Sequence, residues 1–468
     1  MLIHDFEAEQ ARLLKEDCDI RGAWLEYLSN FPHVSAYYRA EAQFPNQVSV
    51  INGKKAGTDI NLYKLFTEQC KNLLRPGGLC GIVIPSGIYT DLGARQLREM
   101  LFGQTRITGL FGFENRKEIF EGVHRSFKFV VMTFKKGGTT HTFPAAFMRH
   151  DVQELERFPQ HGSVPVAVEL VRRLSPDSLS IMEFKCDLDV QIAEKMLKFP
   201  LLGENLEGVW NVKLSREFDM TNDSYLFKTQ PGPGRLPLYE GKMIWQFDHK
   251  LAPPRYWVDE KEGRAAILGR EKDVGQKLDY QDYRLGFRDI ASSTNERTLI
   301  CSMVPPAFHG NKLPTVITNG NSGRRVILPN EQLFLAAALN SFALDWAIRM
   351  KVTSTLNFFY VYQLPVPRLM EKDSQFGPIV ERAARLICTT PEFDALARQV
   401  GLKSHKDSVI EPAGRAKIRA ELDAIIAHLY GLTEKEFAHI LSTFPLVARE
   451  VKEAAMEEYR RSAVACSP

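Results

Sequence analysis

The densest run of hydrogen-bonding side chains lies at 287–298, FRDIASSTNERT, where Arg288, Ser292, Thr294, Asn295 and Arg297 bring guanidinium, hydroxyl and amide groups together. A guanidinium fork matches the two acceptors of guanine in the major groove, and a carboxamide matches the donor and acceptor of adenine. The same groups also bond phosphate oxygens, so the run reads as a surface for a nucleic acid. Between 284 and 351 there are eight Lys and Arg (284, 288, 297, 312, 324, 325, 349, 351) against four Asp and Glu (289, 296, 331, 345), a local excess of +4. Arg324 and Arg325 follow Gly320-Asn321-Ser322-Gly323 and are read as phosphate contacts. Tyr239 and Lys242 carry a weaker signal of the same kind. The whole chain has a formal charge of only +3, from 60 Lys and Arg against 57 Asp and Glu, so any basic face has to be local. The 11 His and 7 Cys show neither metal-ligand spacing nor a C-x-x-C pair, which excludes a zinc site or a disulfide framework as the organising chemistry.

These residues have to be positioned by several domains, because 468 residues exceed one ordinary core. No apolar run approaches the roughly 20 residues that span a bilayer, and the N-terminus lacks the basic start and apolar core of a signal peptide. The reading is a cytoplasmic protein with no membrane segment. Leu62, Leu65, Phe66, Leu73 and Leu74 recur at helical spacing behind Thr58 and Asp59, and Pro76-Gly77-Gly78 stops the helix. The short apolar run 79–84 predicts a strand buried on both faces of a parallel sheet. A second helix from Asp91 through Leu101, then strands at 107–113 and 127–134, give helix, strand, helix, strand, strand. That order belongs to a doubly wound α/β sheet, but three strands before residue 140 leave it incomplete. From 160 to 205 the chain reads as helical and linker-like. From 206 to 370 it is irregular, with Pro231-Gly232-Pro233-Gly234, Pro253-Pro254 and Pro305-Pro306 between short aromatic runs. Residues 333–350 predict one apolar helix. Leu422, Ile425, Ile426 and Leu429 form a helical stripe, and Thr433 with Glu436 makes a capping box.

The segment NLYKLFTEQCKNLLRPGGLCGIVIP at 61–85 resembles the helix and fifth sheet strand of gamma-class adenine-specific DNA methyltransferases. GFENRK at 112–117 and FVVMTFKK at 129–136 stand where that family has its last two strands. Further on, LYEGKMIWQFD at 238–248, FRDIASSTNERT at 287–298, and the stretch from LNSF at 339–342 through NFFY at 357–360 resemble the target-recognition domains of type IIG restriction-modification enzymes, and 422–445 resembles their C-terminal helical segment.

The resemblance implies an α/β fold: a partial class I, Rossmann-like methyltransferase sheet over 1–150, a helical linker over 151–205, an α+β target-recognition domain over 206–370 and a helical region over 371–468. It implies S-adenosylmethionine as cofactor, with Phe66 against its adenine ring and Tyr63 one turn away, and Phe134 stacking on a base flipped out of double-stranded DNA. Arg288, Ser292, Asn295, Arg297, Arg324 and Arg325 are the implied DNA contacts. In this family an Asn-Pro-Pro-Tyr-type loop polarises the adenine amine. The Pro-Pro pairs here, Ala252-Pro253-Pro254-Arg255 and Val304-Pro305-Pro306-Ala307, lack both flanking residues, and 1–60 holds only Gly22, Gly53 and Gly57, with no Gly-x-Gly. The expectation is therefore site-specific adenine methylation in a restriction-modification or phage-defence system. This chain would supply target recognition and part of the catalytic domain, and would be inactive alone. An upstream methyltransferase half, fused or separate, would complete it. The alternative is a DNA-specificity module without chemistry; an RNA methyltransferase is disfavoured by the recognition segments.

Overall fold

The computed structural model describes residues 3–40, 42–48, 50, 51, 54, 55, 59–319, 326–352 and 354–465. It is a mixed α/β fold that divides into two compact units, 1–194 and 195–468.

In the first unit Asn61 caps the helix Leu62–Leu73, its side chain accepting from the Tyr63 N–H at 3.4 Å. Gly77, at φ 78, turns the chain into the strand Leu79–Pro85. Only a residue without Cβ takes that conformation freely, which lets the chain turn back once the helix has ended at Leu73. Lys128–Lys136 lies antiparallel between Leu79–Pro85 and Thr105–Glu114; Thr142–Arg149 runs parallel to Thr105–Glu114, and Val164–Ala167 closes the far edge. The sheet thus has five strands, two more than the sequence pattern predicts. The extra pair was hidden by Pro144 and Pro165, which argue against a strand on sequence grounds but face each other in register, where neither has an N–H to donate.

The expectation for 79–84 is corrected. Leu79–Pro85 pairs on one side only, antiparallel, and alternates exposed Leu79, Gly81 and Val83 with better-covered Cys80, Ile82 and Ile84. It is a half-covered edge strand, since a continuous apolar run fits an open edge as well as a sheet interior. Helix Arg95–Gln104 buries Leu97, Met100, Leu101 and Phe102, the last stacking on Phe143 with ring centroids 6.1 Å apart. Buried Glu183 receives Lys128 at 2.8 Å and the Tyr89 hydroxyl at 2.9 Å, so its charge is paired and bonded.

The second unit holds two small sheets. One orders Cys301–Val304, Arg284–Phe287, Thr315–Val316 and Leu214–Ser215; the other orders Tyr256–Asp259, Arg235–Tyr239 and Phe308–His309. Helices Pro329–Asn340 and Phe342–Arg349 replace the single helix expected over 333–350. Ser341 is extended (ψ 153) and its hydroxyl accepts from the Leu344 N–H, so one side chain ends the first helix and starts the second. The Thr433–Glu436 capping box forms as expected and starts Glu434–Ser442. Among the described residues no helix is long and apolar enough to cross a membrane.

A buried polar chain joins the end of Arg235–Tyr239 to the 390 region: the Tyr239 hydroxyl meets His249 Nδ1 at 3.1 Å, and His249 Nε2 meets Thr390 Oγ1 at 3.2 Å. Burial holds the His249 imidazole down to about 4 from its ordinary 6.5. The unfolded chain binds that proton near 6.5 and the folded chain only near 4, so acid favours unfolding across that window. Urea titrations between pH 6.5 and 4 should show the wild type losing up to about 3 kcal/mol more than His249→Gln, at about 1.4 kcal/mol per pH unit. Equal pH dependence in the two proteins would mean that His249 is not kept neutral by the fold.

Candidate nucleic-acid interface

The 287–298 run leaves the four-stranded sheet at Phe287 and is gripped from two sides. The Asp289 N–H donates to the Lys312 carbonyl at 3.2 Å. On the other side, Ile290 pairs antiparallel with Thr355; Ala291 N–H donates to the Ser354 carbonyl at 3.1 Å and Leu356 N–H to the Asp289 carbonyl at 2.8 Å. Two segments more than sixty residues apart in sequence, 289–291 and 354–356, are thereby stitched into one platform. The first lies in the run picked out by its residue types and the second in a stretch marked only by its resemblance, and the pairing brings them together.

The Asp289 carboxylate is buried beneath this platform, 1% exposed. It accepts from Arg216 Nη2 at 3.2 Å and from Lys312 Nζ at 3.2 Å, while both cations reach the surface. The Arg216 guanidinium lies 4.5 Å above the Phe358 ring. Phe358 begins the helix Phe358–Tyr362, whose Tyr362 hydroxyl accepts from the Leu214 N–H at 2.8 Å, two residues before Arg216. One short helix therefore supports both the ring and the strand that carries the arginine. Around this centre are exposed Thr294, Asn295, Ser354 and Asn357 and half-exposed Ser292, with Ile290 67% exposed. Hydroxyls, amides and cations are the groups that hydrogen-bond phosphates and base edges where proteins meet nucleic acid, and an apolar tip is what meets a thymine methyl there.

Within the loop, Ser292 Oγ and Thr294 Oγ1 lie 2.9 Å apart, and the Ser292 carbonyl accepts from Asn295 N–H at 3.2 Å and from Thr298 Oγ1 at 2.8 Å. The Asn295 side chain is left outward.

Arg288 and Arg297 are placed differently from the sequence expectation. Arg288 Nε donates to the Gly241 and Ile244 carbonyls at 2.9 and 3.0 Å, and its guanidinium lies over Trp245 at 4.9 Å. Burial pulls its pKa below the ordinary arginine value. Arg297 is 5% exposed, ion-paired with fully buried Asp345 at 2.8 Å and bonded to the Asn340 carbonyl, with the Phe342 ring 4.2 Å away. Both are internal fasteners: a base contact from Arg297 would strand the Asp345 charge. Burial raises the Asp345 pKa while Arg297 and Arg349 oppose that shift, and its carboxylate also accepts from the Thr298 and Leu299 N–H groups at 3.1 Å. Arg349 reaches up from below to the Asn295 and Glu296 carbonyls and to Thr298 Oγ1 at 3.1 Å. Tyr239 is buried in the His249 chain, and Lys242 pairs with Glu240 at 3.4 Å. Arg324 and Arg325 lie outside the described residues.

In the first unit Phe66 is 59% exposed on the open side of Leu62–Leu73, whereas Tyr63 is 8% exposed with its hydroxyl 3.4 Å from Asp91 Oδ2. Phe134 is fully enclosed between Cys80 and Ile107 in the sheet. Among the described residues none closes a pocket over Phe66, and Phe134 presents no face to a base in this conformation.

Residues 37–120 match the family model described as Eco57I restriction-modification methylase. No curated protein matches the sequence. Among solved structures, the type IIL restriction-modification enzyme MmeI in complex with DNA aligns over 86% of this chain and 52% of its own, at 12% identity and TM-score 0.42. The type IIG restriction endonuclease BpuSI aligns over 88% and 51%, at 15% identity and TM-score 0.31. The DrdV–DNA complex aligns over 92% and 54%, at 11% identity and TM-score 0.40. The chain spans about half the length of each of these.

The two kinds of polar residue in the 287–298 run should separate by stability. Arg297→Ala leaves Asp345 buried and unpaired and should cost about 3–5 kcal/mol in urea unfolding, whereas exposed Asn295→Ala should stay within about 0.5 kcal/mol of wild type. An Arg297→Ala protein as stable as the parent would show that the arginine is not an internal fastener.

Proposed function

We propose that this chain supplies target recognition and part of the catalytic domain for site-specific methylation of the exocyclic amine of adenine in double-stranded DNA, with S-adenosylmethionine as methyl donor, in a restriction-modification or phage-defence system of the cytoplasm. The observation that carries the reading is the pairing of 289–291 with 354–356, which gathers exposed Thr294, Asn295, Ser354 and Asn357 above the Asp289 ion pairs. The match of 37–120 to a restriction-modification methylase model supports it from the other unit. On this reading 206–370 is the target-recognition domain, 371–468 its helical support, 1–150 the closing part of a Rossmann-like methyltransferase sheet, and 151–205 a connecting segment that also adds the strand Val164–Ala167 to that sheet.

The remainder of that sheet would come from a methyltransferase half, fused or separate. Its docking face has support in exposed apolar residues at one edge: Leu62, Phe66 and Leu73 on the helix, Leu79 and Val83 on the edge strand. A strand with one open edge beside apolar surface is a template for further pairing. Phe66 would then face the adenine ring of the cofactor once the other walls are present, and the chain alone would be inactive. Enclosed Phe134 favours the second reading, a specificity module without chemistry of its own. The readings share the DNA contact and part on whether methyl transfer appears when a methyltransferase half is added.

The purified chain should bind duplex DNA without cofactor, with affinity that falls steeply between 50 and 200 mM salt, about a thousandfold if about six phosphates are neutralised. Asn295→Ala should lower affinity for the preferred duplex selectively, by about 1–3 kcal/mol. An anisotropy titration showing absent or salt-independent binding by folded protein would remove the recognition assignment.

A further inference from the structure

Arg216 lies in no recognisable motif, and its sequence neighbours give no hint of a ligand. Its surroundings in the folded chain do. One Nη2 hydrogen bond at 3.2 Å ties it to the buried Asp289 carboxylate, and its guanidinium carbon lies over the Phe358 ring, 4.5 Å from the centroid. Phe358 itself is fixed through Tyr362, one helical turn on, whose hydroxyl holds Leu214 at 2.8 Å. The side chain is 36% exposed, and among the described residues its remaining donors have no partner. A long flexible cation has been clamped on two sides while its free N–H groups stay at the surface, beside the Ser354–Asn357 edge of the platform.

Resting on the DNA reading above, we propose that Arg216 is a further specificity-determining residue: it donates two hydrogen bonds to O6 and N7 of one guanine in the major groove. Asp289, Arg216 and Lys312 together leave one net positive charge, which suits DNA in general and does not choose between base and phosphate. What the clamp preserves is orientation, and orientation is what a bidentate base contact needs. Lys312, 50% exposed on a flexible stem and tied to the same carboxylate, is suited to the adjacent phosphate, where a point charge suffices. Phe358 acts as a positioning residue through its ring.

The experiment selects preferred duplexes from a randomised pool with the purified full chain, then compares wild type, Arg216→Lys and Phe358→Leu by anisotropy, with circular dichroism melts to verify folding. Arg216→Lys keeps the charge and loses the fork. It should bind non-preferred duplexes within about twofold of wild type, lose about 10- to 100-fold on the preferred one, and release a single G from the selected consensus. Phe358→Leu should shift in the same direction by less. A probe that needs no variant is the preferred duplex with 7-deazaguanine at that G, which lacks the N7 acceptor; wild type should lose affinity for it alone. An unchanged consensus with Arg216→Lys, or full affinity for every 7-deazaguanine duplex, overturns the guanine contact. Uniform weakening on all duplexes by Arg216→Ala, with a salt slope lower by about 1, overturns it in favour of a phosphate contact. Wild type that binds DNA but selects no consensus defeats sequence reading by Arg216 while leaving DNA binding standing, and wild type that binds no DNA defeats the parent reading.

Discussion

A carboxylate closed off from water is the constraint around which the platform of 289–291 and 354–356 is arranged. Asp289 is 1% exposed, and a bare charge at that depth would cost several kcal/mol. Arg216 and Lys312 offset it, and each must approach from its own segment of chain. The Asp289 backbone is used as well: its N–H donates to Lys312 and its carbonyl accepts from Leu356. Strand end, recognition loop, turn and helix approach are all fixed relative to one residue. Removing the carboxylate would free the two cations, and removing either cation would leave the carboxylate underpaired.

A second buried charge does for the loop what Asp289 does for the platform. Asp345, on the helix that Ser341 starts, takes the Thr298 and Leu299 N–H groups and the Arg297 guanidinium. Arg349, one turn later, holds the Asn295 and Glu296 carbonyls. The polar residues at 292–295 are thus exposed at their tips and immobilised at their base. Preorganisation of this kind lowers the entropy lost when a ligand is bound.

Much of the scaffold was legible where one local rule decides the outcome. Pro76-Gly77-Gly78 as stop and the Thr433–Glu436 box each act within a few residues, and one helix ends just before the first while another starts at the second; the cap itself, Asn61, lies two residues beyond Asp59, where the sequence pattern put the start. The strands Thr142–Arg149 and Val164–Ala167 escaped because their prolines are harmless only when paired with one another. The site was legible by residue type and not by role. Nothing local distinguishes Arg297 from a surface arginine; the difference is the carboxylate beneath it on another helix. Arg216 was missed for the converse reason, since the carboxylate that makes it conspicuous lies 73 residues away. The resemblance over 61–85 read the helix and strand correctly, but not which side of the strand would be open.

The central claim is that 289–295 and 354–358 form one DNA-facing surface. Amide hydrogen exchange of the full chain, with and without a saturating duplex, tests it most directly. Both segments should gain protection together, along with the residues around Arg216, while the buried strand Cys301–Val304 stays unchanged because it is already protected. Protection confined to the first unit, or appearing in only one of the two paired segments, would contradict the account.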